Sequence, residues 1–580
     1  MTVPPAAALW RLPRAETLFE LVALPGQRFP DAPALHFSRD GVVHEAVSWG
    51  WLWRAALEVS DDLRARGHRA GAPVVVVAQT EPAFFAAFFG VLAARGVPVP
   101  IAPPASRRAG PLEWYRLRLD AVTRDTGARI VLTPRSVGAI LTDCVRTLAR
   151  PLDVVAVGGE LDSRTRQTPA RRSNVEAGRA RPCDLALLQY TSGSTSDPKG
   201  VALAHEHVLA NLAALSDVLA TPDASAVSWL PLHHDMGLIG AALTALYVRR
   251  PVLLIPPRAF ASDPGCWLRA IGRFGATMTL APNFAFAYTA QSVAIEDMRD
   301  VSLSSLRTIL NGAEPVDPAA IDAFESHFAP LGLCRGVVQP VYGLAENVLA
   351  VSLSAPGERL VDAVDAEALE VQGAAVPVSR AGRRTRLVIS VGRPLLNSDV
   401  RIMDDRDRPV ADRIVGEVVV RGPSVMSGYH NRPADTAAAL RGGWLHTGDL
   451  GYLADGRLFI TGRLKDLVIR HGRNHDPSDI ELVAGRVEGI VPGGVAAFSA
   501  GEAPAVVVVA ETRLRDEQDR ALAARRIREA CHEALGFGPD DVRLVSRGDI
   551  PRTTSGKIRR AECRLRYLQA GSWPTSKLLP

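Results

Sequence analysis

Six mostly apolar residues, 185–190, end at Tyr190, and Thr191-Ser-Gly-Ser-Thr-Ser196 follows at once. This break constrains the fold more than any other feature of the chain. A buried strand must give way there to a loop whose backbone N–H groups are unshielded. Such a loop wraps an oxyanion with main-chain and hydroxyl donors together. Lys199 adds a point charge, and Gly193 and Gly200 permit backbone angles that bulkier residues resist. From His205 onward, Val208, Leu209, Leu212, Leu215, Val218 and Leu219 fall on one helical face. The implied order is strand, anion-type loop, short strand, helix. It is not a Walker A loop, because Lys199 precedes the second glycine instead of following it. A Ser/Gly-rich surface turn accounts for the same residues, so the rest of the chain has to decide.

Further apolar strands are expected at 74–77, 97–101, 154–157, 226–230, 252–255, 277–280 and 306–310, most of them separated by helical patterns. Thr80 can cap a helix that runs from Pro82 to Ala94, which makes a βαβ unit with the strands on either side. This alternation predicts an α/β fold with largely parallel sheets. Residues 164–181 read as a basic surface loop. Between 351 and 390 the pattern degrades into an inserted, partly exposed element. The texture turns β-rich after Val400, and a new α/β segment begins after Gly462-Arg-Leu-Lys-Asp466. These shifts give an N-terminal domain of 1–465, including a β-rich subdomain, and a small α+β C-terminal domain of 466–580.

At 580 residues the chain is long enough for two or more domains with ample core. No apolar run is long enough to span a bilayer, and the first residues lack a signal-peptide pattern. Six scattered cysteines without a CxxC pair argue against a zinc site or a disulfide framework. A net charge of +5 makes no case for nucleic acid. The expectation is a cytoplasmic enzyme; its oligomeric state stays open, with a monomer as the default. Only Lys199, Lys465, Lys557 and Lys577 are lysines among 67 basic residues. Where arginine is used almost everywhere, a lysine points to a place that needs a compact ammonium.

Five stretches join the central loop as candidates for chemistry. Trp229-Leu-Pro-Leu-His-His-Asp-Met-Gly-Leu238 sets two histidines and an acid just after a strand. Asn311-Gly-Ala-Glu-Pro315 follows another strand end, where open α/β sheets bind ligands. Tyr342-Gly-Leu-Ala-Glu346 pairs an aromatic face with a carboxylate. Trp444-Leu-His-Thr-Gly-Asp-Leu450 presents an acid on a turn, and Pro551-Arg-Thr-Thr-Ser-Gly-Lys-Ile-Arg559 a lysine on a loop.

In this order, these motifs resemble the adenylate-forming enzymes over nearly the whole chain. Within that superfamily the fatty acyl-AMP ligases are most similar, through Val97-Pro-Val-Pro-Ile-Ala-Pro-Pro104, Leu230 to Leu238, Arg470-His-Gly-Arg-Asn-His475 and the added segment after Glu346. His233 departs from the aromatic residue commoner at its position, and Asn347-Val-Leu from the usual small polar start after the glutamate. The resemblance implies stacked α/β sheets in the large domain, with the C-terminal domain as a mobile lid hinged at Asp466. It further implies attack of a fatty acid carboxylate on ATP, with release of pyrophosphate. Acyl transfer to the phosphopantetheine of an acyl carrier protein follows; an acyl-CoA synthetase is the nearest alternative. Thr191, Ser192, Gly193, Ser194, Thr195 and Lys199 would then hold the phosphates. Asn311, Gly312, Ala313, Tyr342 and Gly343 would surround adenine, and Asp449 and Arg463 would fix the ribose. Glu346 would hold Mg2+, His234 would lie by the reacting carboxylate, and Lys557 would reach the α-phosphate. The 351–390 segment corresponds to the insertion that sets the ligases apart.

Overall fold

The computed structural model describes residues 12–104, 109–146, 148, 150, 152–158, 179–190, 198–378, 384–470, 473–500, 505–552 and 557–570. The loop residues Thr191 to Thr195 and most of the basic stretch lie outside these residues. Among the described residues the largest sheet has nine strands. Its spatial order is Arg393–Pro394, Ala350–Leu353, Val338–Gly343, Thr308–Gly312, Met278–Pro282, Ala226–Ser228, Val252–Leu254, Pro33–Ser38 and Val43–Ser48. The pairings from Val338–Gly343 through to Pro33–Ser38 are all parallel, and the outer ones are antiparallel.

A second sheet, wholly parallel, joins Val97–Ile101, Pro73–Val77, Ile130–Pro134 and Asp153–Val157. The expected βαβ unit is there, with the helix at Pro82–Ala93. Phe84, Phe85, Phe88 and Phe89 are all fully buried on it, each contributing roughly 1.5–3 kcal/mol of apolar burial. Gly90 lets this helix lie against Trp49–Ala65, since a Cβ there would stand 2.5 Å from Val59. The strands that flank the hydroxyl-rich loop, Leu185–Tyr190 and Gly200–Ala204, pair antiparallel, and Gly428–Tyr429 extends them on the far side. The helix His205–Leu219 follows as expected. Val208, Leu212 and Leu215 are buried on it, whereas Val218 is 45% exposed because it falls at the solvent edge of the last turn.

The β-rich part consists of Asp399–Met403, Gly416–Arg421, Leu440–Arg441, Trp444–Ala454 and Arg457–Arg463. Residues after Asp466 form two-stranded and three-stranded sheets with the helices Pro477–Gly485, Glu517–Leu535 and Arg560–Ala570. Their two hydrophobic clusters, one around Val508 and Ile527 and one around Val509 and Cys563, include no buried residue from before Asp466.

The inserted segment is ordered over most of its length. Val361–Asp365 pairs antiparallel with Thr385–Ile389. Val364, Leu369, Ala375 and Val388 cover Tyr452 and Phe459, whose rings stack at 4.8 Å. The other side of the segment meets the C-terminal part through ion pairs. Arg386 bonds Asp479 at 3.0 Å and Arg473 bonds Glu367 at 3.1 Å. His475 lies 3.6 Å from Glu370, and Arg384 reaches both Glu370 and the Leu535 carbonyl. Burial raises Asp479 to about 6, with Asp476 and Glu370 pushing the same way and Arg386 opposing.

Candidate active site

Three parallel strands of the large sheet lead into the predicted stretches at their C-terminal ends, and a fourth opens a helix among them. Ala226–Ser228 leads into Trp229–Leu238, and Thr308–Gly312 into Ala313 and Glu314. Val338–Gly343 leads into Glu346, and Met278–Pro282 opens a helix at Asn283. The C-terminal edge of such a sheet is where strand ends splay and backbone groups are free for a ligand. One rim therefore gathers residues more than 110 positions apart in sequence.

Backbone strain collects on this rim. Ala313 has φ +73° and Val348 φ +65°, a region that costs a residue with a Cβ about 1–3 kcal/mol, and more for a β-branched one. Val348 ends the short helical turn Ala345–Asn347 that presents Glu346. Gly343 allows this turn to fold back, since a Cβ there would come within 1.9 Å of the Leu349 carbonyl oxygen. Asn311 is fully buried and donates to Asn283 at 3.1 Å; the same Asn283 oxygen accepts the Asp317 N–H at 3.1 Å. Glu314 accepts the Phe284 N–H at 2.5 Å, at the start of that helix.

Tyr342 donates its hydroxyl to Asp449 at 2.7 Å, and Arg463 pairs with the other oxygen of Asp449 at 3.1 Å. Asp449 lies within the strand Trp444–Ala454, not on the turn expected for it, and faces Arg463 on the adjacent strand. Burial raises the Asp449 carboxyl, while Arg463 and the Tyr342 hydroxyl hold it down.

His234 lies deep in the site, with its ring 4.5 Å from that of His233. Burial lowers it well below the ordinary histidine range, and His233, Lys557 and Arg118 push the same way. It is therefore a neutral imidazole at physiological pH. His233 is pushed down to about 3 by burial, and its carbonyl accepts from Gln189 at 2.7 Å. Asp235 caps the following π-helical segment, Met236–Leu243, through the Met236 N–H at 2.7 Å. Burial raises the carboxyls of Asp235, Glu314 and Asp449, and the Lys557 ammonium opposes that rise in all three, while it adds to the lowering of His234 by burial. The C-terminal lysine thus acts on three acids, two that follow strands of the large sheet and one within the strand Trp444–Ala454.

On the opposite flank, Lys199 pairs with Asp435 and lies 5.0 Å from the centre of the Tyr429 ring. Glu346 accepts the Tyr429 hydroxyl at 2.8 Å. Among the described residues no cation forms an ion pair with Glu346, and no cluster of three metal-ligating side chains exists. One acid with a neutral donor fits a hard cation shared with a ligand's own oxygens, not an all-protein cage. Asp466 accepts from Arg560 at 3.4 Å, next to the strand that carries Arg463.

The family described as AMP-binding enzyme matches residues 23–430, most of the chain and all of the rim up to Tyr429. The chain belongs to the AMP-binding enzymes. It is 36% identical over 514 residues to the medium-chain-fatty-acid–[acyl-carrier-protein] ligase JamA of Moorena producens, covering 84% of each. It is 32% identical over 569 residues to the long-chain-fatty-acid–AMP ligase FadD23 of Mycobacterium tuberculosis, covering 92% of this chain and 93% of that one. A structure from work on fatty acyl-adenylate ligases of E. coli and L. pneumophila superposes with a TM-score of 0.87. Identity there is 31%, over 96% of this chain and 98% of the other. Relatives at 33% identity carry both kinds of name, fatty-acid–AMP ligase and fatty-acid–CoA ligase.

In this AMP-binding enzyme the described candidates His234, Asn311, Gly312, Ala313, Tyr342, Gly343 and Glu346 lie at or after strand ends of one rim; Asp449 and Arg463 join it through the Tyr342 hydroxyl, the Lys557 charge acts on it, and Lys199 lies beside Glu346 through Tyr429. Sequence reasoning passed over Tyr429, Asp435 and Asn283, and it singled out the stretch that carries Glu314 without giving that acid a role. Gly428-Tyr-His-Asn-Arg-Pro433 has the turn residues of an ordinary loop, and only its pairing with the strand after the hydroxyl-rich loop brings Tyr429 to Glu346. The arginines near Lys557 are mostly paired with acids. Arg560 is bound by Glu481 at 2.6 and 2.7 Å, and Arg559 and Arg566 both pair with Glu562. Arg564 stays exposed.

Proposed function

We propose that this chain activates a fatty acid with ATP to give fatty acyl-AMP and pyrophosphate. It then hands the acyl group to the phosphopantetheine thiol of an acyl carrier protein. In the first step a carboxylate oxygen attacks the α-phosphorus, the bond to the β-phosphate oxygen breaks, and pyrophosphate leaves with that electron pair. The step needs placement and charge neutralisation, with no covalent bond to the protein. Lys557 neutralises the α-phosphate and the incoming carboxylate, and neutral His234 lies beside them without competing for negative charge. Tyr342, Gly343 and residues 311–313 surround adenine, and Asp449 with Arg463 takes the ribose hydroxyls. Lys199 and the Thr191–Thr195 loop hold the β- and γ-phosphates. Glu346 would hold Mg2+, which supplies Lewis-acid neutralisation of the phosphate charge when bound.

The observation that carries this reading is that the Lys557 charge acts on residues of three separate motifs, His234 with Asp235, Glu314 and Asp449. The acyl-adenylate chemistry named for the relatives supports it, and JamA supports a carrier protein as acceptor. The asymmetry of the insertion contacts supports a lid tied to its neighbour. Fatty-acid-dependent exchange of labelled pyrophosphate into ATP tests the first step. Exchange that needs a fatty acid is expected; exchange with amino acids but no fatty acid would overturn the substrate class.

A further inference from the structure

Tyr429 stands where three separate pieces of the phosphate side meet. Its own segment is laced to two of them by backbone bonds. The Met426 N–H donates to the Glu346 carbonyl at 2.8 Å, the Ser427 N–H to Ala202 at 3.0 Å and the His430 N–H to Gly200 at 2.8 Å. The Tyr429 N–H is tied to the Thr436 hydroxyl at 2.9 Å, which anchors the helix Pro433–Ala439. That helix carries Asp435, the partner of Lys199. The Tyr429 side chain then makes two contacts of different kinds. Its hydroxyl donates to Glu346 at 2.8 Å, and its ring lies 5.0 Å from the Lys199 ammonium. A hydrogen bond to a carboxylate fixes which way that carboxylate faces. An ammonium over a ring is held by the quadrupole without losing its charge.

We propose that Tyr429 is a positioning residue for the phosphate side of the site. Its hydroxyl orients Glu346 for the divalent cation that accompanies ATP, while its ring seats Lys199 for the phosphates. One side chain thereby couples cation affinity to the loop lysine. A tyrosine suits the task because both contacts are needed at once, and phenylalanine keeps only the second. The proposal rests on the reading of the reaction given above.

The test is Tyr429→Phe in the full-length protein. Binding of Mn2+ is followed by electron paramagnetic resonance with a non-hydrolysable ATP analogue present, and pyrophosphate exchange is followed against Mg2+ concentration. The dissociation constant for Mn2+ and the half-saturating Mg2+ concentration should both rise at least ~5-fold, the scale of a lost hydrogen bond to a charged group. The fatty acid KM and the thermal midpoint should stay near wild type. Tyr429→Leu, which also removes the ring, should in addition weaken the ATP analogue. Unchanged Mn2+ affinity in Tyr429→Phe overturns the proposal, and so does a lowered thermal midpoint with unchanged Mn2+ affinity, the mark of a purely structural brace. Absence of fatty-acid-dependent exchange in the wild type counts against the proposed reaction instead, and the Mn2+ titration still decides the role of Tyr429.

Discussion

Lys557 is a lysine in a chain whose other basic residues are nearly all arginines, and the fold brings its charge to bear on His234, Asp235, Glu314 and Asp449. Three surrounding acids hold an ammonium ready for a phosphate that arrives with more charge than they carry. Lys557→Ala should bind ATP nearly as well as wild type but form acyl-AMP at least ~10²-fold more slowly, as for a lost charge-stabilising donor. Single-turnover adenylate formation measures this, and a near-normal rate would remove Lys557 from the chemistry. Residues of this kind were legible in the sequence because they stand in short motifs after apolar runs. Tyr429 was not. Its importance lies in the pairing of its strand with Gly200–Ala204, at a separation that no local pattern reports.

The strand at 97–101 and the helix after Pro82 follow from apolar runs, and the strand expected at 306–310 stands two residues on, at Thr308–Gly312. The hairpin of the insertion was not readable in this way. Its strands alternate exposed Leu360, Val361 and Leu387 with buried Val364 and Val388, and the surface they cover belongs to Tyr452 and Phe459, nearly a hundred residues on. The hairpin also holds the C-terminal part through Arg386 and Asp479. Removing the guanidinium in Arg386→Ala should cost about 1–3 kcal/mol, because the half-buried Asp479 loses its nearest cation. Urea unfolding would show this. The acid also has a pH signature. Asp479 is raised to about 6 by burial, so between about pH 4 and 6 the folded protein keeps a proton that the unfolded chain has lost. Stability therefore falls as the pH rises through that window. Asp479→Asn should flatten the slope, and an unchanged slope would assign it to another group.

At the scale of the whole molecule, the separate hydrophobic clusters after Asp466 support a lid that pivots there, and the insertion contacts support a restraint on how far it swings. Asp466→Pro should impair adenylation and acyl transfer to different degrees; equal loss of both, measured as separate half-reactions, would place the hinge elsewhere. Restraint of the lid bears on the acceptor. A carrier-bound pantetheine gains protein–protein contacts that free CoA lacks, so a lid tied through Arg384 and Arg386 need not hinder the two thiols equally. The central claim is that this chain makes acyl-AMP and delivers it to a carrier protein. Mass spectrometry of products from ATP and a panel of fatty acids, with CoA in one reaction and a phosphopantetheinylated carrier protein in another, tests it most directly. The account predicts acyl-AMP that accumulates in the presence of CoA and acylated carrier in the second reaction. Robust acyl-CoA formation by the full-length protein would contradict it.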